Sequence, residues 1–576
     1  MRSEVLRWVS ILGFAGVASA CTSDSDNCVA TRTCELDDAG VAGSGGSGGS
    51  GGTGATGGSA GAVGGQGGTS GTGGVGGGDA GDAGDADAGA AGVGAAGAGG
   101  ADAGDAEAEP FCDPTSLPSE DPCVIHDDHG IFVSPGGSND AGCGAMANPC
   151  ATLMGAMARA KADGKRVYAC GDGGNYAESV TVDSSLDGLV LYGGFRCSDW
   201  SYAPSAVRSR AIADSVTWTV VGLAQGFEAN DFAIESRDAS TPGASSVAAI
   251  VRNSVNVVFR NTVFVAGDGA SGTSGSSGAE GSAGAIPDDP QNGGNASCSS
   301  GATVQNGGSW PGPSACGSEG GAGGPAVRNA NGSDGGGGTP STNVTPANVD
   351  NFGVGSSALG QTGGEGGIGS PGNAGANGAA ASQGTFTTSG YTAADGHNGT
   401  NGYTGQAGGG GGASKAATNC IGASGGAGGM GGCGGTFGSG GKGGGASVAL
   451  IVWDSALTLE ACDVSSGTGG GGGKGGNGGP GGAGAEGGFG GLPASGMGGG
   501  GRGGKGGGGG PGGSGSGGTA GPSYGIVYHG SVPVETNGTI VAPGNGGAVG
   551  VGGTAQGGSK APDGAVGESA ARHNVP

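Results

Sequence analysis

Residues 250–254 have the sequence IVRNS, and related sequences occur at 451–455 (IVWDS) and, with one insertion, at 526–531 (IVYHGS). A second apolar run follows each copy. A glycine closes that run 13, 12 and 13 residues after the serine, at Gly267, Gly467 and Gly544. Repetition of a short strand-like unit predicts a solenoid, in which each unit stacks on the previous one. We therefore expect the three copies to be neighbours in space.

The units contain short strands without a helical crossover, which favours an all-β parallel β-helix. In that fold, backbone hydrogen bonds join successive coils while alternate Val, Ile and Leu side chains stack inside. Asn253, Asp454 and His529 are assigned to the same bend of the three copies. Asn and Asp suit that bend because they tolerate left-handed backbone geometry.

Upstream of the first copy, the pattern predicts one helix and several strands. Asn148 suits the N-cap of the helix, and Pro149 suits its first turn. An apolar stripe is formed by Leu153, Met157 and Ala160. The helix is expected to end at Asp163 and Gly164. Strands are predicted at 167–169, 179–182, 188–192, 216–221 and 227–234.

Five short motifs follow one another between residues 130 and 195: GIFV (130–133), NPCATL (148–153), VYAC (167–170), NYAE (175–178) and LYGGF (191–195). This series resembles the N-terminal capping segment of pectin-lyase-like right-handed β-helix proteins. The Gly-rich tracts further along resemble the PGRS tracts of bacterial surface proteins. Together the resemblances imply a right-handed β-helix lipoprotein of the PGRS type, a group whose molecular activity is mostly unassigned.

Glycine dominates the composition, with 157 of 576 residues, while aromatic residues make up only 4%. An ordinary hydrophobic core cannot extend through such a chain, because glycine has no side chain to bury. We expect the Gly-rich tracts to leave the β-helix at its bends as long insertions. They are expected to be either random coil or side-by-side polyglycine helices of the polyproline II type.

The sequence therefore divides into seven segments. They are a signal peptide (1–20), a disordered acidic Gly/Ala/Ser-rich tether (21–110), a cap with the first β-helix coils (111–267), a Gly-rich insertion (268–445), one coil (446–467), a second Gly-rich insertion (468–521), and a last coil with a Gly-rich tail (522–576).

The N-terminus predicts export. Arg2 and Arg7 precede an apolar stretch at 8–20, which is too short to span a bilayer but fits a signal peptide. The sequence VASAC (17–21) resembles a lipobox, although Ala18 stands where Leu is usual, and this resemblance implies lipidation of Cys21. Thr22 after that cysteine implies the outer membrane or cell surface. The alternative is A-x-A processing before Cys21 and secretion.

The formal net charge of −26 argues against nucleic acid as a partner, because no basic surface is available to neutralise phosphates. Residues 22–109 hold thirteen acidic residues and one basic residue, Arg32, which predicts a solvated, self-repelling tether. The expected partners are the membrane, through the lipid, and extracellular polysaccharide or other cell-surface material.

Thirteen cysteines follow Cys21, in agreement with an oxidising compartment. Nearest-neighbour pairing is one of many possible connectivities. It gives Cys28 with Cys34, Cys112 with Cys123, Cys143 with Cys150, Cys170 with Cys197, Cys298 with Cys316, and Cys420 with Cys433. Cys462 is left as a buried thiol in a strand.

Few residues suggest chemistry. The run HDDH (126–129) is compatible with a metal site, but its side chains alternate in an extended chain, so a polar loop before a strand at Ile131 is expected. The nearest carboxylate pairs are Asp231 with Glu235 and Glu460 with Asp463, and neither repeats between copies. We therefore expect no catalytic residue, metal or cofactor.

These observations favour a non-catalytic, lipid-anchored surface protein for adhesion, matrix contact or envelope structure. The alternatives are a polysaccharide lyase or hydrolase, or a carbohydrate-binding protein, on the same scaffold. A groove on one face of the β-helix with two or more convergent carboxylates or an arginine would favour the enzyme. A carbohydrate-binding protein would need exposed aromatic residues along a groove, and the only late tryptophans are Trp200, Trp218, Trp310 and Trp453.

Overall fold

The computed structural model describes residues 112–576. Within this range there is one α-helix, α1 (Leu153–Asp163), and single turns of 3-10 helix lie at Pro122–Val124, Ser184–Leu186 and Asp289–Gln291. The strands before the first Gly-rich tract are β1 (Gly130–Val133), β2 (Arg166–Cys170), β3 (Asn175–Tyr176), β4 (Val180–Val182), β5 (Val190–Phe195), β6 (Ser209–Ala213), β7 (Val216–Val221), β8 (Phe227–Asn230), β9 (Phe232–Ser236), β10 (Ser246–Arg252), β11 (Val257–Arg260) and β12 (Val263–Ala266). The later strands are β13 (Val304–Gln305), β14 (Ala326–Val327), β15 (Thr385–Thr387), β16 (Gly390–Thr392), β17 (Ser447–Trp453), β18 (Leu457–Glu460), β19 (Asp463–Ser465), β20 (Ser523–His529), β21 (Val534–Thr536), β22 (Ile540–Ala542) and β23 (Ser569–Asn574).

Three parallel sheets hold most of these strands. Sheet 1 has the order β1-β2-β5-β8-β11-β18-β21, sheet 2 the order β4-β7-β10-β17-β20-β23, and sheet 3 the order β3-β6-β9-β12-β19-β22. From β2 onward the chain passes through sheet 1, sheet 3 and sheet 2 in a fixed rotation. The expected all-β parallel architecture is therefore confirmed. Two small antiparallel hairpins, β13–β14 and β15–β16, lie inside the first Gly-rich tract.

The three sequence copies are neighbours in sheet 2. Ile250 pairs with Ile451, 201 residues away in sequence, as the repeat predicts. The third copy is displaced by one residue, because Ile451 pairs with Val527 rather than Ile526. The proposed insertion is therefore wrong: VYHGS at 527–531 continues the ladder directly.

This displacement corrects the bend assignment. The left-handed residues after the three strands are Asn253, Asp454 and Gly530, with φ of 49°, 47° and 82°. His529 precedes the bend, pairs with Trp453 and stacks on its ring at 4.6 Å. A second set of bends follows sheet 1, where Asp231, Asn261, Ala461 and Asn537 all have positive φ.

Two upstream predictions need correction. Helix α1 begins after Thr152, whose side chain accepts the Gly155 N–H, and not at Asn148, because Cys150 forms a parallel bridge with Val133. Its C-terminal end is the predicted one, with Gly164 at φ 64°. The strand predicted at 227–234 is two strands, since the bend at Asp231 separates β8 from β9.

The main hydrophobic core lies between the three sheets. Aromatic residues pack around Trp218, and the ring centres of Phe227, Phe232 and Phe259 lie 5.8, 5.5 and 6.0 Å from its ring centre. The other face of sheet 2 carries a second cluster that includes Ile451, and hairpin β15–β16 packs on it through Phe386 and Tyr391. Part of the first Gly-rich tract is thus in contact with the sheets.

The Gly-rich tracts form a hydrogen-bonded bundle, defined here as residues 267–446, 467–522 and 543–568. Its backbone hydrogen bonds recur at every third residue: the N–H groups of Gly272, Gly275 and Gly278 donate to the carbonyls of Gly471, Lys474 and Asn477. Three residues per turn is the period of a polyproline II helix, in which each row of residues faces one neighbour. The Gly-rich tracts therefore form side-by-side polyglycine helices and not random coil.

The residues 408–412, all glycine, illustrate the packing. The N–H groups of Gly408, Gly409 and Gly410 donate to Gly429, Gly367 and Gly336, which lie in three different segments. A Cβ on Gly410 would stand 1.9 Å from the Ala322 carbonyl oxygen. Glycine is required there because neighbouring backbones touch, as at the crowded axis of collagen.

Asparagine and aspartate side chains satisfy donors at the surface of the bundle. Asp395, Asn398 and Asn401, spaced by three, accept the N–H groups of Gly443, Gly440 and Phe437. Without these side chains, the three N–H groups would need carbonyl oxygens from another segment of the bundle. The spacing places the three acceptors on one row of a polyproline II helix.

Five disulfides join ten of the candidate cysteines. Cys112–Cys123, Cys143–Cys150 and Cys170–Cys197 are nearest neighbours. The other two cross: Cys298 pairs with Cys420 and Cys316 with Cys433, so nearest-neighbour pairing is wrong for these four. The reason is the bundle, which brings together segments 122 and 117 residues apart. Cys21, Cys28 and Cys34 lie outside the described residues.

Cys462 is a buried free thiol in the short link between β18 and β19. Burial raises its pKa to about 11. It belongs to the core cluster between the sheets, and we assign it no chemistry.

The end of the sheets opposite α1 carries charge at inward positions. Glu535 is paired in register with the buried Leu459, and Arg572 with the buried Ile526. The Arg572 guanidinium donates to both carboxylate oxygens of Glu535, from Nε at 2.7 Å and from a second nitrogen. Inward-pointing charge is one way in which proteins prevent another chain from pairing with an exposed sheet edge.

Ala461 is the one alanine among the four residues at the second set of bends, and a left-handed alanine costs roughly 1–2 kcal/mol. Ala461→Asn is therefore expected to raise the free energy of unfolding by about 1 kcal/mol. The reciprocal change Asn537→Ala is expected to lower it similarly. Urea unfolding of both variants checks this, and equal stabilities would contradict the left-handed assignment at Ala461.

Two glycines of the bundle provide a matched test of its packing. Gly410→Ala must displace backbone and is expected to destabilise by at least ~1–3 kcal/mol. At Gly508 an added Cβ meets only one atom, the Gly482 oxygen at 3.4 Å, so Gly508→Ala is expected to be neutral or stabilising by up to about 1 kcal/mol. Thermal unfolding measures both variants, and the change in midpoint temperature relative to the unmodified protein should differ between them in sign or size. Identical behaviour would mean that this region is not packed.

Candidate functional site

A ladder of polar side chains lies on the outer face of sheet 1. Tyr192, Asn230, Arg260 and Glu460 occupy one register position on the adjacent strands β5, β8, β11 and β18. Neighbouring strands of a sheet are about 4.8 Å apart, so these side chains form a continuous row across the strands. Each of the last three immediately precedes a left-handed bend residue, at 231, 261 and 461.

Arg260 is held between two carboxylates. Its Nε donates to Glu460 at 2.7 Å, and another guanidinium nitrogen pairs with Glu228, two residues earlier than Asn230 on β8. Partial burial alone would lower the pKa of Arg260, but the hydrogen bonds to Glu228 and Glu460 outweigh burial and raise it. The amide of Asn230 also donates to Glu228, at 3.1 Å, and fixes that carboxylate from the other side.

Tyr202 and Asp231 form one wall beside this ladder. The Tyr202 hydroxyl and the Asn261 amide both donate to the Asp231 carboxylate. Burial raises the pKa of Asp231, and the two hydrogen bonds oppose that rise. Burial and the nearby Asp231 likewise raise the pKa of Tyr202. Because its oxygens are committed to these partners, Asp231 orders the wall and is poorly placed to accept a proton from a ligand.

Arg166 and the segment 115–119 form the opposite wall. The Arg166 guanidinium donates to the Ser116 carbonyl at 2.6 Å and lies 5.6 Å from the centre of the Tyr192 ring. None of the ion pairs between residues 112 and 576 includes Arg166. The two walls and the ladder residues Tyr192, Asn230 and Arg260 together line an open groove, called here the sheet 1 groove.

The sheet 1 groove offers donors and acceptors in fixed orientations. Asn230 supplies its amide oxygen, because its amide nitrogen already donates to Leu191 and Glu228. The other groups are the guanidinium groups of Arg166 and Arg260, the carboxylate of Glu228 and the phenolic oxygen of Tyr202. Such planar polar groups beside tyrosine rings suit a ligand that carries many hydroxyl groups, because each hydroxyl both donates and accepts. Arg166 forms no ion pair with any residue between 112 and 576, so its positive charge adds attraction for an anionic group.

The carboxylate pairs considered from sequence do not come together. Glu235 pairs with Arg210 in sheet 3, away from Asp231. Glu460 points into the ladder, whereas Asp463 begins β19 in sheet 3 and is exposed. Glu228 is the carboxylate that sequence reasoning missed. The pattern that could have revealed it is the alternation of side chains along β8, which places Glu228 and Asn230 on the same outward face.

The HDDH run forms the turn before β1, which begins at Gly130. His126 Nδ1 is 3.2 Å from Asp128, and Asp127 accepts the Met146 N–H at 2.7 Å. Among the described residues, a cluster with metal-ligand geometry is found at Cys112, Asp121 and Cys123. Its two sulfurs form a disulfide, so the thiolates that bind metals are not available.

Comparison with known proteins gave no match: no family model, no curated protein and no solved structure is similar to this chain. Between residues 112 and 576, no helix is long and apolar enough to cross a bilayer.

Arg260 gives a measurable test of the ladder. Coupling between Arg260 and Glu460 in a double-mutant cycle, with Arg260→Met and Glu460→Gln, is expected to be about 0.5–1 kcal/mol, since the pair is partly exposed. The control is Arg237 with Asp214, whose side chains are 50% and 85% exposed, and its coupling is expected to be near zero. Urea unfolding at low and high salt measures both. Equal coupling in the two cycles would contradict an ordered ladder.

Proposed function

We propose that this protein is a non-catalytic cell-surface lipoprotein that contacts extracellular polysaccharide, and so acts in adhesion or matrix contact. The observation that supports this most directly is the sheet 1 groove, which is lined by the ladder residues Tyr192, Asn230 and Arg260. A polysaccharide lying along the ladder would cross successive strands, so that each strand contributes a polar side chain to the same chain of sugars.

We further propose that the three sheets form a right-handed parallel β-helix. The supporting observations are the fixed rotation of the chain through the sheets and the recurrence of left-handed residues at two bends. The resemblance of residues 130–195 to pectin-lyase-like caps agrees with it. The bundle then corresponds to the Gly-rich tracts that resemble those of PGRS-type proteins.

Placement at the cell surface rests on the sequence of the N-terminus, where Cys21 is the proposed lipid attachment site. The five disulfides support it, because such bonds persist in oxidising compartments. Cys21 itself lies outside the described residues.

A polysaccharide lyase or hydrolase is the alternative, favoured by the presence of Glu228 and Glu460 on one face. Catalysis on sugars needs a carboxyl group free to give or take a proton. Both carboxylates are instead paired with Arg260, so their oxygens are committed to its guanidinium group. We therefore prefer binding to turnover.

Affinity electrophoresis of the protein in gels that contain neutral or acidic polysaccharides tests the proposal. Asn230→Ala and Arg166→Ala are each expected to weaken retention by about tenfold, the effect of losing one hydrogen bond of roughly 1.4 kcal/mol. Arg237→Ala, a charge change outside the groove, is the matched control and should leave retention unchanged. Retention that is absent on every polysaccharide, or insensitive to the groove variants, contradicts the proposal. Release of shorter sugar products would instead establish the enzymatic alternative.

A further inference from the structure

The described part of the chain contains nine Asn-Gly pairs, whose asparagines are Asn292, Asn306, Asn331, Asn377, Asn398, Asn401, Asn477, Asn537 and Asn545. Asn-Gly is the dipeptide most prone to deamidation, since glycine offers no side chain to hinder the reaction. The backbone nitrogen of the glycine attacks the side-chain carbonyl carbon of the asparagine. This step needs a free N–H group and room for the backbone to rotate.

Six of the nine pairs have a glycine N–H that is already engaged. Gly399 and Gly402, for example, donate to Gly438 and Gly435 at 3.0 and 2.9 Å within the bundle. The others are Gly293, Gly332, Gly378 and Gly478. In several pairs the asparagine side chain is also fixed, as where Asn398 and Asn401 accept backbone N–H groups. A nitrogen held in this way cannot reach its own asparagine.

Three glycines, Gly307, Gly538 and Gly546, make no N–H hydrogen bond to any residue in 112–576. Two of them are packed against other backbone. A Cβ would lie 2.0 Å from the Gly323 oxygen at Gly307, and 1.9 Å from the Gly567 oxygen at Gly546. Gly538 differs, because nothing lies within 4 Å of the position that a Cβ would occupy.

Asn537 and Gly538 form the central residues of the turn between β21 and β22. Their φ angles are 53° and 80°, and the turn is closed by the Thr539 N–H, which donates to the Thr536 carbonyl at 3.2 Å. Both residues are exposed. This is the geometry of a type I′ turn, for which Asn-Gly is the preferred sequence. The same turn leaves the attacking nitrogen and its target uncommitted.

We infer that Asn537 is a site of spontaneous deamidation in the folded protein, and that the other eight pairs are protected while the fold persists. The Gly538 nitrogen loses its proton and bonds to Cγ of Asn537, and the side-chain nitrogen leaves as ammonia. Water then opens the resulting succinimide at either carbonyl, which gives aspartate or isoaspartate. No oxidant, reductant or enzyme is required.

The modification has a structural consequence at the edge of the sheets. Either product places a negative charge two residues from Glu535, which belongs to the charged end of the core. Isoaspartate also lengthens the backbone of a two-residue turn by one carbon. We expect the β21–β22 connection to loosen first, because β21 and β22 are the edge strands of sheets 1 and 3.

Peptide mapping by mass spectrometry tests this on the full chain, incubated at mildly alkaline pH and sampled over time. Deamidation at Asn537 is expected to be at least ~10-fold faster than at Asn398, Asn401 or Asn477, because their glycine nitrogens react only from rare open states. The same incubation in denaturant is the internal control, and there the Asn-Gly pairs are expected to react at similar rates. The variant Asn537→Gln should remove the fast event alone.

Two outcomes would overturn the inference. One is a uniform rate across the nine pairs in the folded protein. The other is an intact Asn537 when pairs of the bundle have already reacted. Neither outcome bears on polysaccharide binding, so this test and the test of the sheet 1 groove can fail separately.

Discussion

Backbone hydrogen bonds between side-by-side extended segments are the interaction on which the rest of this structure depends. A chain with 157 glycines and few aromatic residues has little apolar surface to bury, so it cannot rely on a large hydrophobic core. It uses two lattices instead. In the three parallel sheets, each strand forms backbone hydrogen bonds with the strands beside it. In the bundle, each segment bonds to several neighbours, as Gly408, Gly409 and Gly410 do with three different segments.

The second lattice constrains where side chains can be. Because a Cβ at many positions inside the bundle would overlap a neighbouring carbonyl, many large residues of the Gly-rich tracts point outward, although Ile421, Met430 and Gln406 are buried. Ile368, Phe489 and Leu492 are accordingly 67%, 65% and 66% exposed. Exposure of apolar residues marks a binding surface when they form a contiguous patch. Here packing alone is sufficient to explain it, which is why we place the binding function in the sheet 1 groove and not on the bundle.

The parallel fold was accessible from sequence because the repeat at 250 and 451 carries both its strand and its bend. In the third copy, the predicted position of the bend was wrong by one residue. The bend residue there is Gly530, whereas the other two copies have Asn253 and Asp454, so the three bends do not look alike in sequence. The crossed disulfides could not be predicted, because the position of Cys298 beside Cys420 is a property of the bundle and not of any local pattern. The packing of the bundle did leave a signal, which is the three-residue spacing of Asp395, Asn398 and Asn401. Glu228 was missed because charged residues on an outward strand face are ordinary in any single strand.

The groove depends on the bundle in one respect that links the two lattices. Arg260 and Glu460 are separated by 200 residues in sequence, yet they are adjacent in the ladder. The intervening tract can be this long because it leaves and returns at the same place: the Gly445 N–H donates to Ala270, and the Gly470 N–H donates to Gly445. These bonds hold the ends of the tracts together directly beside the strands. A loosely closed loop would leave the register of β18 against β11 to the sheets alone, and a slip of one residue would turn Glu460 toward the core. The ordered bundle therefore helps to keep the carboxylate of Glu460 against Arg260 on the outer face.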